Sequence, residues 1–75
     1  TPAAAGEDPS EVVARAAMHR RVVDQVMELS EPYKTTLLLR FFDGLMPAEI
    51  ADRLDRPVAT VRTHIERGLE RLRRR

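Results

Sequence analysis

Between Pro47 and Leu72 the sequence PAEIADRLDRPVATVRTHIERGLERL places apolar residues at three- and four-residue steps and breaks that rhythm once, at Asp55-Arg56-Pro57. The pattern implies two short amphipathic helices meeting at a tight corner. Pro47 suits the first position of a helix, where a missing N–H costs nothing, and Glu49 favours the positive end of the helix dipole. Ile50, Ala51 and Leu54 then share one face, and Ala51 is small enough to let a second helix cross closely. The residue before a proline avoids the α region and Asp tolerates a left-handed backbone, so Asp55-Arg56-Pro57 ends this helix. From Val58 the rhythm resumes through Val61, Ile65, Leu69 and Leu72, an apolar stripe that pins the second helix to a core.

At about 100° per residue, Arg62, Thr63, Glu66 and Arg67 fall within an arc of roughly 140° that avoids the centre of this stripe. They are therefore expected to face outward. Such an arc can read base edges in a major groove: Arg forks onto guanine, Glu accepts from cytosine, and Thr bonds either way or touches a thymine methyl. Surface helices also carry charges of this kind as intrahelical pairs, and Glu66, Glu70, Arg62, Arg67 and Arg71 have the spacing for it. The charge distribution favours the nucleic-acid reading. Segments 1–29, 30–54 and 55–75 carry −2, −1 and +4, so an overall charge of +1 conceals a basic last helix in which every cation is Arg. Arg suits bidentate contact with phosphate and guanine, although Arg71, Arg73, Arg74 and Arg75 also complement the negative end of the helix dipole.

Upstream, Asp8-Pro9-Ser10-Glu11 has the signals of a helix start, with Asp8 as cap, Pro9 first and Glu11 completing a capping-box-like arrangement. Val12, Val13, Ala16, Ala17, Val23, Val26 and Met27 are expected to form an apolar face through Leu29. Ser30-Glu31-Pro32 stops this helix and caps the next, whose expected core is Leu37, Leu38 and Phe41, and Asp43-Gly44 ends it. The chain is thus expected to be all-α: a small four-helix domain with a C-terminal helix-turn-helix and helices at about 9–29, 32–42, 47–54 and 58–73. Residues 1–8, which open with Thr1 rather than Met, read as a linker, residues 9–75 as the domain, and the whole as a piece of something longer.

Seventy-five residues make one small domain near the lower limit for a single core. There is no Cys, which excludes a disulfide framework and a thiolate metal site or nucleophile and fits a reducing cytoplasm. Only Tyr33, Phe41 and Phe42 are aromatic, too few for a platform that stacks single-stranded bases. No apolar run approaches a membrane span. His19 and His64 lack metal-ligand spacing and are expected to be surface histidines, while Ser10 and Ser30 suit helix starts better than nucleophilic catalysis. Neither enzymatic activity, nor a metal, nor a cofactor, nor a small-molecule substrate is expected.

Residues 29–75, with their Glu31-Pro32-Tyr33-Lys34 start, the Leu-Leu-Leu-Arg-Phe-Phe-Asp-Gly-Leu run, and Glu49-Ile50-Ala51 followed by Pro57-Val58 and Thr60-Val61-Arg62, resemble region 4 of a bacterial sigma factor of the extracytoplasmic-function group. The Asp8–Leu29 segment resembles the extra N-terminal helix of that domain. The resemblance implies a domain that binds the minus-35 promoter element as duplex DNA and is tethered to core RNA polymerase through the flap of the β subunit, with an anti-sigma factor as a further partner. By position it implies Arg62, Thr63, Glu66 and Arg67 as the base-reading set, and Pro47, Ala48, Glu49, Arg56, Thr60 and Arg74 near the phosphates. Three positions depart from the family's habit: Asp55 stands where Gly is common at the corner, Arg56 where an apolar residue often follows, and Met46 where Ser or Thr would cap the third helix. A left-handed Asp55 costs about 1 kcal/mol relative to Gly.

Two other readings stay open. Thr60-Val61-Arg62-Thr63-His64-Ile65 is also similar to the C-terminal DNA-binding domain of response regulators, although the Glu31–Lys34 start and the Arg-rich end favour the sigma resemblance. Alternatively, clefts around Leu37, Leu38, Phe41 and Leu45, or the face of the first helix, could serve a protein-interaction module that docks an anti-sigma factor or the polymerase flap without a DNA target.

Overall fold

The computed structural model describes residues 6–74. Four helices and no strand are present among them: α1 (Pro9–Met27), α2 (Tyr33–Leu37, continued by a π-helical turn, Leu38–Phe42), α3 (Pro47–Leu54) and α4 (Val58–Arg73). The bounds of α3 match the expected ones, as do those of α4. Most of the expected linker lies outside the described residues, as does Arg75. Its described end is tied to α1: the Arg15 guanidinium bonds both Glu7 carboxylate oxygens at 2.9 and 3.4 Å, and the Asp8 carboxylate accepts from Ser10 N–H at 2.9 Å.

Asp8 caps α1 as the sequence predicts, but the helix ends two residues early and buries little. Among its apolar residues only Val26 is buried, with Leu29 just beyond the helix end. Val12 and Val13 are exposed because no second helix lies along the first turns of α1, and Met27, its last residue, is exposed as well. Of the expected face, the C-terminal end packs on α2 through Val26, and the first turns have no partner inside the domain.

Residues 30–32 form a turn, and α2 opens at Tyr33. Its cap is the Glu31 carboxylate, which accepts from the Thr35 N–H at 3.0 Å and the Thr35 hydroxyl at 2.7 Å; Ser30 contributes its backbone carbonyl to Lys34 N–H. The π-helical turn, marked by Asp43 N–H donating to Leu38 C=O at 3.2 Å, underwinds the end of α2. Phe41 lies within this turn and is 55% exposed, so it is not the core residue expected. Thr36 takes a core place instead, with its hydroxyl satisfied by Pro32 C=O at 2.8 Å. Gly44, at a φ of 71°, reverses the chain into α3.

Two small clusters make the core. Val26, Leu29 and Leu37 are packed by Tyr33, Leu38, Ile65, Leu69 and Leu72. Ile50, Ala51 and Val61 are packed by Leu39, Leu45, Leu54, Val58 and Ile65. Ile65 belongs to both, so α4 is the spine that joins them. At Gly68 a Cβ atom would lie 2.9 Å from Leu37 Cδ1, so glycine is what lets α4 and α2 approach this closely.

Candidate nucleic-acid interface

The corner between α3 and α4 decides how α4 is presented. Asp55 adopts φ 55° and ψ 53°, the left-handed conformation that its side chain tolerates better than most, and Arg56 N–H returns to Ala51 C=O at 3.0 Å. Pro57 then stands at the N-cap of α4 with an extended backbone. Ile50 and Val61, 0% and 1% exposed, close the angle between the two helices. With the stripe inward, Arg62, Glu66 and Arg67 are exposed on α4. Thr63 is half-buried rather than fully outward, and its hydroxyl donates to Ala59 C=O at 3.1 Å. In that rotamer it offers a partner its methyl and its lone pairs.

The residues expected near phosphates lie in three places. At the start of α3, Ala48 and Glu49 are exposed and Pro47 is half-buried; the Glu49 carboxylate closes on Met46 N–H at 2.7 Å and so serves as a cap in place of the Ser or Thr that Met46 replaces. Arg56 is exposed at the corner, in a groove shared with Glu31, Thr35 and His64. Thr60 lies in a depression of about 290 Å³ with Pro32, Tyr33, Thr63, His64 and Arg67. Arg74 sits at the far end of α4, its Nε 3.8 Å from Glu70 in an exposed pair.

Sequence reasoning passed over Tyr33 as a functional residue. Its ring meets the His64 ring edge-on at 6.0 Å between centroids, and the Arg71 guanidinium lies 4.6 Å over it. His64 is consequently half-buried, whereas His19 is a surface residue set edge-on to Phe42 at 4.8 Å. The available signal was the spacing of Thr60, His64, Arg67, Arg71 and Arg74, which repeats four-three-four-three.

The two hydrogen bonds from Thr35 hold the Glu31 carboxyl below its ordinary value, helped slightly by Lys34 and opposed by slight burial. Among the described residues no group of three His, Cys, Asp or Glu is placed to hold a metal ion, and no helix is long and apolar enough to cross a membrane.

A left-handed corner, a buried α3–α4 angle and an Arg-rich outer face describe a helix-turn-helix, and residues 19–72 match the family described as sigma-70, region 4. The chain belongs to that family. Among similar proteins, the ECF RNA polymerase sigma factor SigW of Bacillus subtilis (strain 168) is 33% identical over 66 residues, covering 88% of this chain and 35% of that protein. The ECF RNA polymerase sigma-E factor of Haemophilus influenzae is 36% identical over 64 residues, covering 85% of this chain and 34% of that protein. The RNA polymerase sigma-H factor of Pseudomonas aeruginosa is also 36% identical over 64 residues, with 85% and 33% coverage. This region 4 domain thus spans about a third of the length of the curated relatives it matches. The family match begins at His19, so the exposed first half of α1 lies outside it.

Proposed function

We propose that this region 4 domain binds duplex DNA at the minus-35 promoter element, as the part of a cytoplasmic sigma factor that directs RNA polymerase to promoters. The observation that carries the reading is the outer face of α4, where Arg62, Glu66 and Arg67 are exposed around a half-buried Thr63 while Val61 fixes the helix against α3. Arg62 and Arg67 supply the guanine forks, Glu66 accepts from cytosine, and Thr63 meets a thymine methyl. The helix start at Pro47–Glu49, together with Arg56, Thr60 and Arg74, supplies phosphate contacts that fix register without reading sequence. The domain's work is positioning, with no bond made or broken.

A module of this size buries only about 600–1,000 Å² on DNA and binds weakly alone. Tethering to core polymerase raises its effective concentration at the promoter. The groove of about 200 Å³ lined by His19, Val22, Val23, Leu38, Phe41 and Phe42 suits an apolar helix, which favours the β flap or an anti-sigma factor as its occupant. The same groove is what a protein-docking module without a DNA target would use.

Titrating the chain with a random-sequence duplex pool at two salt concentrations, then sequencing the bound fraction, tests the reading. Steeply salt-dependent binding with an enriched motif supports it. Salt-insensitive capture of core polymerase with no duplex affinity would replace it with the docking reading.

A further inference from the structure

One flank of α4 has a chemistry that base reading leaves unexplained. Thr60, His64, Arg67, Arg71 and Arg74 fall within about 80° of arc at 100° per residue, beside the base-reading face and overlapping it only at one edge, at Arg67 and Arg74. This row faces the turn between α1 and α2. Two surface depressions run along it: one of about 290 Å³ beneath Thr60, Thr63, His64 and Arg67, and one of about 680 Å³ beneath Arg67, Arg71 and Arg74. They share Tyr33 and Arg67, so they adjoin and together make a trough along the row, lined at its middle by Tyr33. Tyr33 organises the row, with His64 against its edge at 6.0 Å and Arg71 stacked on its face at 4.6 Å. From Thr60 to Arg71 the trough is about 16 Å long at 1.5 Å per residue.

A helix lying in a major groove is flanked by two phosphate strands. On the function proposed above, the start of α3 faces one of them. We propose that the trough takes the other, with His64 and Arg71 as phosphate contacts and Tyr33 as the residue that positions them. This inference rests on the DNA reading above and adds the second strand to it. The cation–π stack holds the Arg71 guanidinium in place while leaving its N–H edge for an anion, which lowers the entropy lost on contact. The charged neighbours set the limits of the trough. Glu28 and Glu70 line its distal end, where Glu70 pairs with Arg74 across an exposed 3.8 Å.

His64 makes the contact dependent on pH. Histidine is the side chain whose charge changes between about pH 5 and 8, and only its cationic form adds a charge contact to phosphate. The groups around it are Tyr33 of α2, Glu31 in the turn before α2, Arg56 at the corner and Arg67 on its own helix.

The test titrates the chain with its preferred duplex and with a scrambled one, at about pH 5.5 and about pH 8, over a series of salt concentrations. Arg71→Gln is expected to weaken both duplexes alike and to reduce the slope of log K against log salt by about 0.9 at either pH. The unaltered chain is expected to show a slope steeper by about 0.9 at the lower pH, and His64→Gln to abolish that difference. Tyr33→Phe, which keeps the ring, is expected to leave the slope unchanged, whereas Tyr33→Leu lowers it with helicity by circular dichroism retained. If Arg71→Gln and His64→Gln keep the unaltered slopes and the same preferred sequence, the trough carries no strand and the base-reading face stands. If the unaltered chain binds neither duplex, the DNA reading itself falls, and the trough with it.

Discussion

Ile50 and Val61, at 0% and 1% exposed, let the half of the domain from Pro47 to Arg73 close upon itself, whereas in the half from Pro9 to Phe42 several large apolar side chains face solvent, Val13 at 67% and Phe41 at 55%. The difference does not arise from composition, since both halves have apolar residues at helical spacing. It arises from partners. Helix α3 has α4 to cross at a fixed corner, while the first turns of α1 have nothing opposite them and the π-helical turn aims Phe41 and Phe42 outward. On the proposed function, the closed half offers the face for reading DNA and the open half an apolar surface for protein contact.

The contrast can be broken by paired truncations. Ile50→Ala is expected to lower unfolding free energy by about 2–5 kcal/mol, a large share of what so small a domain can have, whereas Val13→Ala and Phe41→Ala each change it by less than about 0.5 kcal/mol. Urea melts of the three variants check this. Equal losses would mean that the open half contributes to folding as much as the closed one. A smaller effect is expected where the halves meet: Gly68→Val forces a side chain onto the fully buried Leu37 and is expected to cost about 1–3 kcal/mol in the same assay.

At the corner of the closed half the expected change has the opposite sign. Because Asp55 sits at a positive φ, Asp55→Gly is expected to raise stability by about 0.5–1 kcal/mol, seen as a higher urea midpoint with an unchanged slope. The smallest effect belongs to the cap of α2. Glu31→Ala is expected to cost about 0.5 kcal/mol at neutral pH, a low figure because the carboxylate is exposed. The sign of its pH dependence follows from the lowered pKa: the folded state favours the carboxylate, so the contribution is present above the ordinary value of 4.5 and is lost as pH falls through and below it. Melts of the two proteins should therefore converge in acid.

How much was legible in the sequence differs along the same divide. The bounds of α3 and α4 and the conformation of Asp55 were readable because proline, a turn-tolerant Asp and unbroken periodicity act locally. Phe41 was misread because periodicity assumes 3.6 residues per turn, and the π-helical turn breaks that assumption with a hydrogen bond no local signal announces. Val12 and Val13 were readable as an apolar face but not as exposed, because such a face is buried only where a second element lies opposite. Gly68 escaped notice since a glycine within a helix usually weakens it, and only the closeness of Leu37 shows its use. Within the candidate interface, helical geometry alone placed Arg62, Glu66 and Arg67 outward, while the arrangement of His64 and Arg71 about Tyr33 depends on a contact across elements.

The central proposal is that the outer face of α4 reads bases. Selecting bound duplexes from a random pool with the unaltered chain and with Arg67→Ala tests it most directly. The expected result is one enriched motif for the unaltered chain and, for the variant, loss of preference at a single base pair worth about 1–3 kcal/mol with the other positions retained. An identical motif from both proteins would show that Arg67 reads no base and would contradict the assignment of this face.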